Sequence, residues 1–181
     1  MKFSILSLPI ALLLASSAGA FSPPRPDQAL QRLLDGNRRY VIHQHGASPL
    51  ANRNLRLRTA RRQTPFAVVL ACSDSRVPPE LIFDQRLGDL FVVRVAGNVV
   101  DPVVLGSVEY AVLNLGTPLV LVLGHTKCGA VTAALDPGKV PEGNLGAIVE
   151  AIRPAVEKVR EGSLTVRGGT YDLETGRFHP F

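Results

Sequence analysis

Five side chains able to do chemistry stand where two apolar runs stop. The first run, Phe66 to Ala71, ends on Cys72, Asp74 and Arg76: a thiol, a carboxylate and a guanidinium at alternate positions. The second, LVLVLG, ends on His125 and Cys128 in the string GHTKCG. These two cysteines are the only ones in the chain. Two thiolates and one imidazole make a donor set suited to zinc, Zn2+. Three protein ligands leave one tetrahedral position open, which is the catalytic arrangement rather than the closed structural one. A lone H-x-x-C says little; it gains weight from the Cys-x-Asp-x-Arg that follows the other run. Two plainer readings stand beside this one. The cysteines could form a disulfide, and Asp74 with Arg76 could be a surface ion pair of small consequence.

For the three ligands to meet, the two runs must lie close in one sheet. Phe66–Ala71 is short and apolar throughout, the pattern of a strand buried on both faces of a parallel sheet. FVVRVAGN, Phe91 to Asn98, reads as a second strand, and Leu119–Leu123 as a third, with Gly124 turning the chain into His125. Between them, Asp101-Pro102 opens a helix that Gly116 closes after Leu115. Asp27 reads as the cap of an earlier helix, Gln28 to about His43, striped by Leu30, Leu33, Leu34 and Tyr40, with Gly36 as a weak point. LRLRTARRQ reads as a basic helical segment. A helix is expected from near Lys127 to before Asp136, and another over 145–160, kinked at Pro154. SLTVRG reads as a final edge strand. Strands alternating with helices predict an α/β fold, a mostly parallel β-sheet flanked by helices, and no internal boundary divides residues 21–181. In such sheets ligands gather beyond the carboxyl ends of the strands, where both runs stop.

Composition limits the rest. The 181 residues are 46% hydrophobic, which argues against disorder. Residues 1–20 read as a secretory leader: Lys2, the apolar Ile5–Leu14, then Ala18-Gly19-Ala20 for cleavage. That apolar stretch is short for a membrane span, so no stable span is expected once the leader is removed, and the protein is expected to be exported, periplasmic or secreted. The formal charge is +5, with basic residues gathered between Arg53 and Arg62. No aromatics are interleaved there, so no nucleic-acid partner is expected; a positive field near a pocket would favour small anions.

CSDSR, FVVRVAGN and GHTKCGA together resemble the β-class carbonic anhydrases, over roughly Asp27 to Ala134. YDLETG near the end is similar to that family's last strand. The resemblance implies that Cys72, His125 and Cys128 hold zinc. It implies that Asp74 and Arg76 pair beside the metal, with Asp74 swinging onto zinc as a fourth ligand in a closed state of some members. Gln63, nine residues before Cys72, matches a substrate-binding glutamine. The implied reaction is hydration of carbon dioxide to bicarbonate by zinc-bound hydroxide. Hydrolysis of carbonyl sulfide or carbon disulfide, or a catalytically inactive zinc-binding role, are the alternatives. A homodimer or higher homo-oligomer is implied. No histidine stands out as a proton shuttle: His179 lies in the tail, and His43 and His45 are remote in sequence. One departure is clear. The chain passes from Arg160 almost directly to GSLTVRGGTYDLETG, where the family carries several more helical turns.

Overall fold

Hydrophobic runs five or six residues long set the centre of the molecule. The computed structural model describes residues 22–44, 51–136, 138, 141–160 and 169–181. Strands β1 (Ala67–Ala71), β2 (Leu90–Arg94), β3 (Val120–His125), β4 (Gly169–Tyr171) and β5 (Phe178–Pro180) form one sheet in the order β2-β1-β3-β4-β5. The first four run parallel and β5 alone runs antiparallel. β1 is buried along its whole length, as its unbroken apolar run requires. Ala67, Val69 and Ala71 face the main core with Leu121 and Leu123 of β3. Burying a side chain of the size of Val69, Leu121 or Leu123 contributes roughly 1.5–3 kcal/mol, and the alanine methyls less.

Helices cover the sheet: α1 (Pro26–Val41), α2 (Arg53–Thr59), α3 (Pro79–Ile82), α4 (Pro102–Leu115), α5 (Gly129–Leu135) and α6 (Asn144–Arg160). Ala29 and Leu33 of α1 enter the main core beside Ile82 and Phe83. Gly36, suspect from sequence, is required inside α1, because a Cβ there would sit 1.7 Å from the Phe83 carbonyl oxygen. The next residue, buried Asn37, donates to the carbonyls of Ile82 (3.1 Å) and Gly176 (2.9 Å) and accepts from the Phe178 amide (2.8 Å). That single amide ties α1 to the far edge of the sheet. A second apolar cluster, Ala134, Val149 and Ile152, joins α5 to α6.

Several boundaries differ from the sequence reading. α1 starts at Pro26, with Gln28 Oε1 accepting from the Arg25 amide at 3.0 Å, so Asp27 lies in the first turn rather than capping it. The chain leaves β2 after Arg94 and makes a short 3-10 turn at Ala96–Asn98, with Gly97 at φ 69°, instead of continuing as strand to Asn98. Gly124 is not a turn: β3 runs through it to His125, because β4 extends the ladder there with Gly124 opposite Thr170. α5 begins at Gly129, after Lys127 takes a left-handed φ of 55°. α6 continues through Pro154. YDLETG is not a strand as a whole; β4 ends at Tyr171, and Asp172 accepts from the Glu174 and Thr175 amides to turn the chain into β5. The leader over 1–20, His45 and the strand read in SLTVRG lie outside the described residues. No described helix is long and apolar enough to cross a membrane.

Candidate metal centre

The first ligand follows directly from the sheet. Ala71 of β1 pairs with Leu123 of β3, so Cys72 and His125 emerge side by side although 53 residues separate them. Cys128 closes the short loop between β3 and α5. The two sulfurs and a ring nitrogen of His125 all lie within 4.8 Å of one another, and all three residues are buried. Tetrahedral zinc, with bonds of about 2.0–2.3 Å, needs ligand edges of roughly 3.3–3.8 Å, so little movement closes the set on an ion. Both cysteines are free thiols, which overturns the disulfide reading.

Hydrogen bonding settles the state of the imidazole. His125 Nδ1 lies 2.8 Å from the Thr126 carbonyl oxygen. A carbonyl only accepts, so Nδ1 carries the proton and Nε2 holds the lone pair. Nε2 is buried and has no hydrogen-bond partner. A buried acceptor left in that state costs about 1–3 kcal/mol, a cost that ligation of a cation removes. The thiols point the same way. Burial pushes the Cys128 thiol up, and the neighbouring Cys72 pushes it further. The Cys128 thiol therefore resists ionisation on its own, and a divalent cation beside it reverses that balance. The donor set therefore fits zinc.

Around Cys72 the backbone is braced from β2. Arg94 Nε donates to the Cys72 carbonyl at 3.1 Å and Nη2 to the Asp74 carbonyl at 2.6 Å. The Ser73 amide bonds the Val95 carbonyl at 3.3 Å, and the Gly97 amide donates to Cys72 Sγ at 3.4 Å. Only glycine serves at position 97: its φ is left-handed, and a Cβ would lie 2.5 Å from Ile152 Cδ1.

Asp74 and Arg76 form a two-pronged pair in the same loop. Oδ1 accepts from the Arg76 amide (3.0 Å) and Nε (2.8 Å), and Oδ2 accepts from Nη2 (2.6 Å). These guanidinium bonds are the main reason the Asp74 carboxyl is held well below the usual carboxylate range, with His125 adding to the effect. Arg76 is 54% exposed, so the pair contributes orientation more than stability. Asp74 stands outside the three clustered donors, with both oxygens engaged by Arg76.

Gln63 is not brought to this end. It precedes β1, whose other end carries Cys72, and five strand residues span about 16 Å. It lines a separate cleft with Arg61, Arg62 and Leu87. His179 sits on β5, two strands from β3. Sequence reasoning missed Arg94, Gly97 and Thr126. Arg94 had one signal, a lone cation inside the apolar FVVRV.

Comparison with known proteins agrees with this geometry. The family described as carbonic anhydrase matches residues 67–165. A carbonic anhydrase of Mycolicibacterium smegmatis is 48% identical over 143 residues, 77% of this chain and 69% of that protein. Among solved structures, a β-carbonic anhydrase of Aspergillus fumigatus aligns with a TM-score of 0.62 at 26% identity, covering 71% of this chain and 80% of that one. A β-carbonic anhydrase of Sordaria macrospora, described as tetrameric, shares the fold with a TM-score of 0.58 at 24% identity, covering 84% and 96%.

Proposed function

The chain belongs to the β-class carbonic anhydrases, and on that footing we propose that it hydrates carbon dioxide to bicarbonate and a proton, with zinc held by Cys72, His125 and Cys128. The observation that carries the reading is the meeting of two thiols and an unpartnered imidazole nitrogen within 4.8 Å, beside a carboxylate already fixed by a guanidinium. Zinc in such a site supplies hydroxide near neutral pH, where bulk water, with a pKa of about 15.7, supplies almost none.

The chain's own residues then do three things. Arg94 and the Gly97 amide fix the loop and sulfur of Cys72. The Thr126 carbonyl holds the proton on His125 Nδ1 and so keeps the Nε2 lone pair available. Asp74 steers the nucleophile. Each carboxylate oxygen accepts two hydrogen bonds; Oδ1 already takes two from Arg76, and Oδ2 takes one. Oδ2 therefore keeps one acceptor position. An ionised carboxylate only accepts, so Oδ2 would take a hydrogen bond from the nucleophile that bound zinc supplies and so orient it.

Self-association is part of the proposal, as a homodimer or larger assembly. Val103 and Leu113 of α4 are 77% and 78% exposed, and Val120 and Val122 of the central strand β3 are nearly half exposed. Apolar surface of this kind is what an interface covers, and the Sordaria neighbour is described as tetrameric.

Elemental analysis with stopped-flow carbon dioxide hydration on the purified protein tests the reading. One zinc per chain and hydration well above the buffer rate are expected. A folded, zinc-loaded sample without hydration would overturn the catalytic proposal, and faster turnover of carbonyl sulfide or carbon disulfide would redirect it. Sedimentation of the same sample as a monomer would remove the oligomer.

A further inference from the structure

The basic run of the sequence takes no part in the metal centre, and its fold gives it another use. Asn52 caps α2 by accepting from the Leu55 amide at 2.8 Å. Along that helix and the residue turn after it, Leu55, Arg58, Thr59 and Arg62 recur at the three- and four-residue spacing of one helical face. All four line a cleft of about 370 Å³ at the amino-terminal end of β1, the end opposite Cys72. Arg32 of α1, Arg86, Asp89, Thr64 and Phe66 also line it.

Two of the four guanidiniums in the cleft are already positioned. Arg32 bonds Asp89 Oδ2 at 2.7 Å and lies 4.0 Å over the Phe66 ring; Arg86 lies 3.5 Å from the same carboxylate oxygen. The Arg86 amide donates to that oxygen as well, at 3.0 Å. Arg58 and Arg62 have no carboxylate partner among the described residues. Four cations thus face one carboxylate in a chain whose whole formal charge is +5. A cleft this small admits a compact ligand. Two open guanidinium forks can each take two oxygens of a phosphate, and a dianion among four cations gains more than a monoanion such as bicarbonate.

We propose that this cleft binds a phosphate dianion, free or as the head of a small ester, between Arg58 and Arg62 on one wall and the fixed pair Arg32 and Arg86 on the other. The site is separate from the metal centre, and its test does not depend on hydration activity.

Isothermal titration of the full chain at about 0.15 M ionic strength, where the screening length is about 8 Å, with inorganic phosphate and with glycerol 3-phosphate as probes, decides it. Saturable binding of one ligand per chain is expected. Arg58→Gln with Arg62→Gln should weaken binding by about tenfold or more, since two charge-assisted bonds are lost. Arg53→Gln with Arg56→Gln, which removes the same charge from another face of α2, should change the dissociation constant by no more than about twofold. Tighter binding of the ester identifies an ester head as the ligand, and tighter binding of inorganic phosphate identifies the free ion; either upholds the site. No saturable binding of either probe overturns it. So does equal weakening by the two double variants, which would mean a diffuse field rather than a built site.

Discussion

The chain leaving β1 offers one thiol to the candidate metal centre and the chain leaving β3 an imidazole and a thiol, and the two are held in different ways. The β1 loop has backbone bonds from Ser73 to Val95 and from the Gly97 amide to Cys72 Sγ, and a side chain braces it further: Arg94 reaches two of its carbonyls, at Cys72 and Asp74. The β3 loop is braced from β4 mostly by backbone. The Thr126 amide bonds the Tyr171 carbonyl at 3.0 Å, and the Leu173 amide bonds Thr126 Oγ1 at 3.1 Å. Lys127 and Glu174 add an exposed ion pair of little weight. The difference follows from what each loop must do. The β1 loop carries the Asp74 carboxylate, which Arg76 orients and which the proposed mechanism uses to steer the nucleophile. A brace that takes only carbonyl oxygens leaves that carboxylate untouched. The β3 loop carries ligands and no acid, so an extension of the sheet is enough. Fixing the Thr126 peptide there also fixes the carbonyl that holds the His125 proton.

The largest expected effect comes from the one change that strips the β1 loop of its ligand. Cys72→Ser should lose bound zinc and lower hydration by more than about 100-fold, a larger loss than outer partners of a ligand cause. Elemental analysis and stopped-flow rates on the purified variant check it; retention of both would break the ligand assignment. Next comes the brace. Arg94→Ala removes two carbonyl partners at once, and zinc affinity should fall by about 10–100-fold in a chelator competition. Affinity equal to the unmutated protein would mean that the β1 loop holds itself, and the contrast between the loops would disappear.

The meeting of the three donors was legible in the sequence because thiol and imidazole side chains stand at the ends of two buried strands that pair. The apolar run Phe66–Ala71 forecast a strand buried on both faces, and β1 is that strand. Asp101-Pro102 and Gly116 marked the bounds of α4 to the residue. What could not be read were contacts whose acceptors are backbone carbonyls, since every residue carries one. Arg94 reaching Cys72 and Asn37 tying α1 to the far sheet edge are both of that kind. Gly124 misled for a related reason. Its meaning depends on β4, a three-residue strand with no periodicity of its own, arriving to extend the ladder. Gln63 matched by spacing to Cys72, and within one chain that spacing sets it at the opposite end of β1 from the thiol.

The smallest expected effect lies in the β3 loop. Thr126→Val keeps the branched shape and removes only the hydroxyl that accepts from the Leu173 amide. The bond from the Thr126 amide to Tyr171 and the bond from His125 Nδ1 to the Thr126 carbonyl are both backbone-anchored and survive. Stability should drop by about 1 kcal/mol in a denaturant titration, the usual worth of one such bond. Zinc affinity should stay within a few-fold, and Thr126→Ser, which restores the acceptor, should recover most of the lost stability. A loss of affinity as deep as that of Arg94→Ala would show that the β3 loop also hangs on a side chain, and that the sheet extension alone does not position His125.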